Sequence, residues 1–161
     1  MRNTHSKKVG LKSFRSRRSR HRGQALVEMA MSLLFLLAMI IGIIEFGWLV
    51  RNNLIIANAS REGARVAAVG RTSAATRSRI TNSAGSLSVA SPTGSVTLEQ
   101  SIDNGATWTA WASDTGSTKN LIPTGALLRV RVRSNHRQLT GFFPFLSNRV
   151  IEQFTTMRRE Q

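Results

Sequence analysis

The chain lacks cysteine altogether and has few histidines, prolines and acidic residues. The absence of cysteine excludes disulfide bonds, thiolate metal sites and a cysteine nucleophile. The three histidines stand at positions 5, 21 and 136, a separation that argues against a histidine-based metal site. There is no glycine-rich phosphate loop, no acid pair beside a histidine and no plausible Ser-His-Asp arrangement. We therefore expect neither an enzyme nor a metal, cofactor or small-molecule substrate.

Acidic residues number 8 against 23 lysines and arginines, which gives a net charge of +15. The first 22 residues hold nine of these cations and no acid, and subtracting nine from fifteen leaves +6 for the remainder. The high pI therefore belongs mostly to an N-terminal tail. Salt-sensitive binding of nucleic acid by this tail is one reading of the charge, although we expect no nucleic-acid partner.

One very apolar segment interrupts this polar chain, running from residue 29 to residue 50 with the sequence MAMSLLFLLAMIIGIIEFGWLV. As a helix it would be about 33 Å long, enough to cross a hydrocarbon core of about 30 Å. Phe46 and Trp48 fall near its C-terminal end, where aromatic rings suit a membrane interface. The segment predicts a transmembrane helix rather than the buried core helix of a soluble domain.

The charge distribution predicts the orientation of this helix, because basic flanks tend to stay in the cytoplasm. The C-terminal part would then lie outside. A cleaved secretory signal is an alternative, but the apolar run is too long, and Ala57-Asn58-Ala59 lies well past its end. Ser16-Arg17-Arg18 resembles a twin-arginine signal, except that Arg20 stands where an apolar residue is expected.

Two acids mark this segment: Glu28 opens it and Glu45 lies inside it, about 25 Å further along a helix. A carboxylate facing lipid at the bilayer centre costs roughly 2–3 kcal/mol and less near an interface. Glu45 is therefore expected to snorkel, to be protonated or to have a partner, and we assign it, together with Glu28, to helix register and assembly. Glu28 suits a helix start, because the helix dipole favours an acid there.

The residues before Glu28 form a second pattern, in which a basic leader ends at Gly23 and the acid stands five residues later. This resembles the processing site of type IV pilins and pseudopilins. The resemblance implies that prepilin peptidase cuts after Gly23 on the cytoplasmic side and that Gln24 becomes the mature N-terminus. Glu28 of one subunit would neutralise the new α-amine of another and fix the axial register between helices. Many pilins have phenylalanine where this chain has Gln24.

Three motifs follow one another at residues 23–28 (GQALVE), 42–47 (GIIEFG) and 59–65 (ASREGAR). In this order and spacing they resemble the TadE-like family, the minor pseudopilins of the tight-adherence (Flp) pilus machinery. The C-terminal residues 156–160 (TMRRE) also resemble the usual ending of the family. The resemblance implies partnership with other pilins and with pilus assembly platform proteins. It also implies a single-pass protein of the bacterial inner membrane.

Beyond Arg51 the pattern predicts that the helix continues to Val69. A mostly small stripe, favourable for close packing, comprises Ile56, Ser60, Ala64, Ala67 and Ala68. It would contact either the chain's own C-terminal domain or another subunit. Helix packing within the apolar segment is assigned to Ala38, Gly42 and Gly47. For the third motif we expect a structural contact, made by Arg61, Glu62, Gly63, Ala64 and Arg65.

The region after residue 69 predicts a small β domain. Residues 70–95 read as a connector with a short strand near 87–90, and residues 96–102 as a strand with Val96, Leu98 and Ile102 on one face. Residues 103–105 predict a hairpin turn, with residues 106–111 as the returning strand. Asp103, Gly105 and Trp108 resemble an Asp-box, which is a structural hairpin. A single copy supports that hairpin and not a glycosidase.

Residues 128–133 alternate between apolar side chains and Arg129, Arg131 and Arg133, so that this strand has a core face and a basic stripe. A solvated face is the default reading of the stripe, contact with an acidic or polyanionic surface is the alternative, and its role is left open. We expect the apolar residues 142–146 to fold onto the core and residues 150–157 to form a last strand. Three to five mostly antiparallel strands would pack against the upper helix.

The sequence thus predicts an α+β membrane protein in which a long N-terminal transmembrane helix extends into a small, mostly antiparallel, pilin-like β domain. We expect a basic prepilin-type leader at 1–23, a transmembrane and extended amphipathic helix at 24–69 and an extracytoplasmic β-rich domain at 70–161. The expected function is that of a minor pseudopilin. The alternative is a single-pass envelope anchor with an unrelated binding domain.

Overall fold

The long helix dominates the computed structural model, which describes residues 18–91, 94–111, 114–144 and 149–160, with side chains from residue 23 onward. Helix α1 spans Arg18–Ala68. Most of the expected leader at 1–23 lies outside the described residues. The chain divides into two units, Met1–Ile40 and Ile41–Gln161. In the described part of the first unit, α1 carries apolar side chains that are exposed almost throughout.

The second unit contains the rest of α1, helix α2 (Ser73–Ala84) and a four-stranded antiparallel sheet. The strands are β1 (Gly94–Ser101), β2 (Thr109–Ala110), β3 (Leu127–Asn135) and β4 (Val150–Arg158). They lie in the order β2-β1-β3-β4. The α+β arrangement predicted from the sequence, a long apolar helix leading into a small antiparallel sheet, is confirmed.

The core forms between α1 and the inner face of the sheet. On β3, Leu128, Val130 and Val132 are fully buried, as the alternation predicts. Burying each side chain of this kind contributes about 1.5–3 kcal/mol. The small stripe of α1 lies against this layer, and its five residues, Ile56, Ser60, Ala64, Ala67 and Ala68, are all buried. The stripe therefore packs on the chain's own domain.

Helix α2 was not expected, because the connector region is rich in serine and threonine, which have weak helix propensity. Tertiary contacts stabilise the helix. Its N-cap, Thr72, accepts a hydrogen bond from the Ala75 amide at 3.3 Å. The Asp114 carboxylate accepts two more, from the amide and the hydroxyl of Ser73, each at 2.6 Å. Thr76, Ile80 and Ala84, spaced four apart, form its buried face.

Three local expectations for the β domain are wrong, and a fourth is only partly met. Residues 87–90 form no strand and instead lead from α2 toward β1. Strand β1 ends at Ser101, so Ile102 is 75% exposed in the following turn instead of sharing a face with Leu98. Phe142 is 56% exposed and does not fold onto the core. The expected strand at 106–111 shortens to the two residues of β2, because the turn extends further than the sequence suggested.

Gly63 lets α1, α2 and β3 approach closely. A Cβ atom at this position would lie 2.4 Å from Cγ1 of Ile80 and 3.3 Å from Cγ1 of Val130. Both neighbours are fully buried, so neither side chain can swing away without leaving the core. The helix accepts a glycine that costs about 1 kcal/mol in propensity because the packing requires it.

We predict that Gly63→Val lowers the free energy of unfolding by about 1–3 kcal/mol through overpacking. Gly47→Val is the matched control, because it makes the same change in the same helix where nothing lies within 4 Å of the added Cβ. Denaturation of the full chain in detergent, followed by the near-ultraviolet signal of its tryptophans, measures both. Equal effects of the two substitutions would contradict the packing role of Gly63.

Candidate functional site

The N-terminal half of the long helix is an exposed apolar surface. Within Gly23–Ala68, the most apolar window of 18 residues has a mean hydropathy of 2.5 and is 6% buried. Leu34 and Phe35, for example, are 70% and 69% exposed. Exposing so large an apolar surface to water is unfavourable, whereas contact of this surface with lipid is favourable. The helix is long and apolar enough to cross a membrane, which is consistent with a single-pass membrane protein.

Gly23, Gln24 and Glu28, the residues of the expected processing and register site, all lie on the exposed surface of this helix. Among the described residues, none comes within 4 Å of a Cβ built on Gly23, apart from its chain neighbours and the nearby helix backbone. Ala38, the first of the expected helix-packing residues, is half-buried. These positions are therefore accessible from outside the chain.

Glu45 lies in a different environment, although it belongs to the same apolar run. It is fully buried. One carboxylate oxygen accepts the amide proton of Leu139 at 2.9 Å, and the other accepts the amide and hydroxyl protons of Thr140 at 3.0 and 2.9 Å. Three donors converge on one carboxylate, so its burial is compensated by strong, charge-assisted bonds.

Two further polar side chains complete this buried group. His136 is 1% exposed, and its Nε2 lies 3.9 Å from a Glu45 oxygen, which is beyond hydrogen-bond distance. Asn52 lies seven residues after Glu45 on α1. Its side-chain amide nitrogen is 3.3 Å from Nδ1 of the His136 ring. We call these residues the Glu45 cluster: Glu45, Asn52, His136, Leu139 and Thr140.

The Glu45 cluster shows that Glu45 has hydrogen-bond partners within its own chain. Snorkelling to water does not occur, because the side chain is enclosed by residues 136–140. The carboxylate acts within the chain, fastening a loop of the β domain to the helix. The assignment of Glu45 to register between neighbouring helices, which the sequence suggested, stays a prediction. The sequence signal that could have found its role is a lone acid in an apolar run, which requires a donor-rich partner.

The glycines of the second motif also differ from each other. A Cβ at Gly42 would lie 3.5 Å from the ring of Phe143, an ordinary contact distance. At Gly47 nothing lies within 4 Å. Gly42 therefore faces a loop of its own chain, whereas Gly47 remains open on the helix surface.

The third motif, residues 59–65, connects α1 to α2. One oxygen of Glu62 accepts hydrogen bonds from Arg79 of α2 at 3.0 and 3.2 Å and from Arg65 of α1 at 3.2 Å. The bonds from Arg79, followed by those from Arg65, lower the pKa of the Glu62 carboxyl from its usual value. Gly63 and Ala64 are buried beside it, while Arg61 is exposed and bonds to Asn58 at 3.3 Å.

The predicted hairpin is a closed hydrogen-bonded turn. Asp103 accepts bonds from the Ser101 hydroxyl at 2.6 Å and from the Thr107 amide at 2.9 Å, and these bonds lower the pKa of its carboxyl. Gly105 has a φ of 96°, which favours glycine. The ring of Trp108 lies beneath the guanidinium of Arg129 at 4.1 Å. The hydrogen bonds within the turn support its reading as a structural hairpin.

The basic stripe of β3 is part of an alternating row of charges, the Arg–Glu ladder. Glu99 on β1 lies 2.5 Å from Arg129 and 3.9 Å from Arg131. Glu152 on β4 lies 3.1 Å from Arg131 and 2.7 Å from Arg133. Two acids therefore offset most of the charge of three arginines. The ladder favours the solvated-face reading over contact with a polyanion.

The described residues contain no group of three or more histidine, aspartate or glutamate side chains that could hold a metal ion. With the geometry established, comparison with known proteins adds one finding. Residues 23–65 match the family model described as TadE-like protein. The resemblance predicted from the three motifs is confirmed over this segment. No curated protein and no solved structure matches the chain.

We predict that Glu45→Ala releases the loop that contains Leu139 and Thr140. Both amides lose their acceptor, and each hydrogen bond to a charged group contributes about 1.5–3 kcal/mol. Hydrogen–deuterium exchange of peptides covering 137–143 should accelerate, while exchange in the β1–β3 ladder stays slow. Glu28→Ala, which removes an exposed acid of the same helix, serves as the control. Unchanged protection of Leu139 and Thr140 in Glu45→Ala would disprove the anchoring role.

A second prediction concerns Glu62. The pKa of the Glu62 carboxyl is lower in the folded state than in the unfolded chain, where it is about 4.3. The ion pairs of Glu62 therefore stabilise the fold fully at a pH above the unfolded-state pKa, and this stabilisation is lost as the pH falls through the folded-state pKa. Arg79→Gln should raise the pKa of Glu62 more than Arg65→Gln does, because Arg79 donates two bonds and Arg65 one. Carboxyl carbon chemical shifts, followed by nuclear magnetic resonance as the pH is lowered, measure this. The reverse order would show that the pairing within α1 dominates.

Proposed function

We propose that this chain is a minor pseudopilin, a structural component of tight-adherence (Flp) pilus assembly or secretion. The match of residues 23–65 to the TadE-like family supports an association with this pilus system. The observation that carries the finer proposal is the division of the three motifs along α1. The first motif is exposed, whereas the second and third contribute Glu45, Glu62 and Gly63 to contacts within the chain.

This division assigns the two acids different tasks. Glu45 has its donors inside the chain, whereas Glu28 is exposed beside Gly23 and Gln24. Cleavage after Gly23 by prepilin peptidase would free a cationic α-amine at Gln24, close to the membrane edge. Glu28 of a neighbouring subunit would pair with this amine. Such a pair in a low-dielectric setting fixes the axial register of adjacent helices.

The proposed location is the bacterial inner membrane, crossed once, with the N-terminus in the cytoplasm and the β domain outside. The basic residues before the span favour this orientation. The partners are prepilin peptidase, other pilins or pseudopilins and the assembly platform. The protein would act through packing and register, with no catalysis, cofactor or small-molecule substrate.

The alternative, a single-pass envelope anchor with an unrelated binding domain, rests on the C-terminal part of the chain. The family match ends at residue 65, and the sheet follows it. An anchor would keep its helix in the membrane but would need neither cleavage after Gly23 nor Glu28.

We predict that co-expression with a prepilin peptidase yields a membrane-extracted chain beginning at Gln24. Gly23→Val should leave the leader attached, because the peptidase needs a residue without a side chain at that position. Gly47→Val, the same change elsewhere in the helix, should be processed normally. N-terminal sequencing with and without the peptidase measures each case. A leader retained in the unchanged protein would favour the anchor, and a start at Ser60 would indicate a secretory signal.

A further inference from the structure

The Glu45 cluster and Gly42 hold one loop of the β domain against a part of α1 that is itself strongly apolar. We call residues 137–144 the basal loop. Its contacts with the helix are the bonds from Leu139 and Thr140 to Glu45 and the approach of the Phe143 ring to Gly42. The loop therefore lies beside positions 42–45 of the helix, whatever surrounds that stretch.

The length of the apolar run places those positions at the edge of a bilayer. A helix needs about 20 residues to cross the hydrocarbon core. Counted from Leu26, the first exposed large apolar residue, such a span ends at Glu45; counted from Met29, it ends at Trp48. On either count, helix positions 42–45 lie within or at the margin of the hydrocarbon core. A loop fixed beside them must meet the lipid.

The side chains of the basal loop suit that environment. Leu139 is 55% and Phe142 56% exposed. Phe142 packs edge-on against Phe143, with ring centroids 5.1 Å apart, and the pair forms a broad apolar surface beside the helix. In water this surface would be costly, whereas aromatic and aliphatic side chains at a membrane interface are favourable.

Several polar groups of the loop are paired inside the chain, which suits contact with hydrocarbon. The amides of Leu139 and Thr140 donate to Glu45, and the side-chain amide of Gln138 donates to the carbonyl oxygen of Phe143. An ordinary surface loop would leave such groups to water. Pairing them while exposing leucine and phenylalanine is a pattern adapted to lipid.

Exposed cations lie on both sides of this surface along the chain. Arg137 begins the basal loop, and Arg149 follows it, its carbonyl oxygen accepting the His136 amide at 2.7 Å. On the helix, Arg51 lies 4.8 Å from the ring of Trp48. Long basic side chains next to an apolar surface can reach anionic headgroups while their stems remain in the apolar layer.

We propose that the basal loop is a second membrane contact of this chain, with Leu139 and Phe142 inserted into the leaflet at the C-terminal end of the span. Arg137 and Arg149 would contact the phosphates of its lipids. The inference rests on the proposed membrane span but goes beyond it. The β domain would be seated on the membrane surface rather than merely tethered to it.

The absence of cysteine allows a direct test with single nitroxide labels in the full chain. Phe142→Cys and, in a second protein, Leu139→Cys report on the loop. Thr118→Cys is the aqueous control, because Thr118 is exposed and lies near the C-terminal end of α1, away from the apolar run. The nearby Asn120 amide donates to the carbonyl oxygen of Gly70, just beyond that end of the helix. Leu36→Cys, in the middle of the apolar run, reports on the span itself. Each is reconstituted in vesicles of phosphatidylethanolamine and phosphatidylglycerol.

Collision rates with oxygen, which concentrates in lipid, and with a water-soluble nickel chelate give the depth of each label. We expect the oxygen-to-nickel ratio at Phe142 and Leu139 to exceed that at Thr118 severalfold and to approach that at Leu36. Loop labels that match Thr118 while Leu36 is immersed would overturn the loop contact and leave the span intact. Loop labels shielded from both reagents would indicate a protein neighbour and would also overturn it. An aqueous Leu36 would refute the span and, with it, both proposals.

Discussion

The carboxylate of Glu45 links the apolar helix to the sheet domain. It is fully buried, and it accepts three hydrogen bonds from two consecutive residues, Leu139 and Thr140. A glutamine could not replace it, because a single carbonyl oxygen would have to satisfy donors that now approach two oxygens. Without this acceptor, the amides would be left unpaired beside an apolar helix, which costs about 1–3 kcal/mol for each group.

Small side chains have the complementary role further along the same helix. Ala64, Ala67 and Ala68 let the helix approach the sheet, and Gly63 leaves room for Ile80 of α2. The C-terminal half of α1 is thereby covered by its own domain. Under the proposed function, contacts with other subunits would be made by the half that carries Gly23, Gln24 and Glu28 on its surface.

Patterns that depend on neighbours in the chain were predictable from the sequence, and patterns that depend on distant partners were not. The apolar run, the alternation of β3 and the turn at Asp103 are set by local spacing, so all three were found. Helix α2 was missed because Asp114, forty-one positions away from Ser73, supplies its stabilising bonds. The arginines of the basic stripe were predicted, but their pairing with Glu99 and Glu152 was not. The order of the strands in the sheet decides which acids lie beside the stripe.

If α1 crosses a membrane as proposed, the position of Glu45 would also restrain the helix along the membrane normal. Sliding α1 inward by one turn would move a carboxylate about 5.4 Å deeper, together with the backbone amides that it binds. An unpaired charge costs about 2–3 kcal/mol at the bilayer centre, and the hydrogen bonds of Glu45 reduce this cost without abolishing it. Sliding outward would expose apolar side chains such as Leu34 and Phe35 to water. Under the proposed function, a subunit that presents Glu28 at a fixed height to its neighbours would need such a restraint, because register between helices requires that each helix keep its own depth.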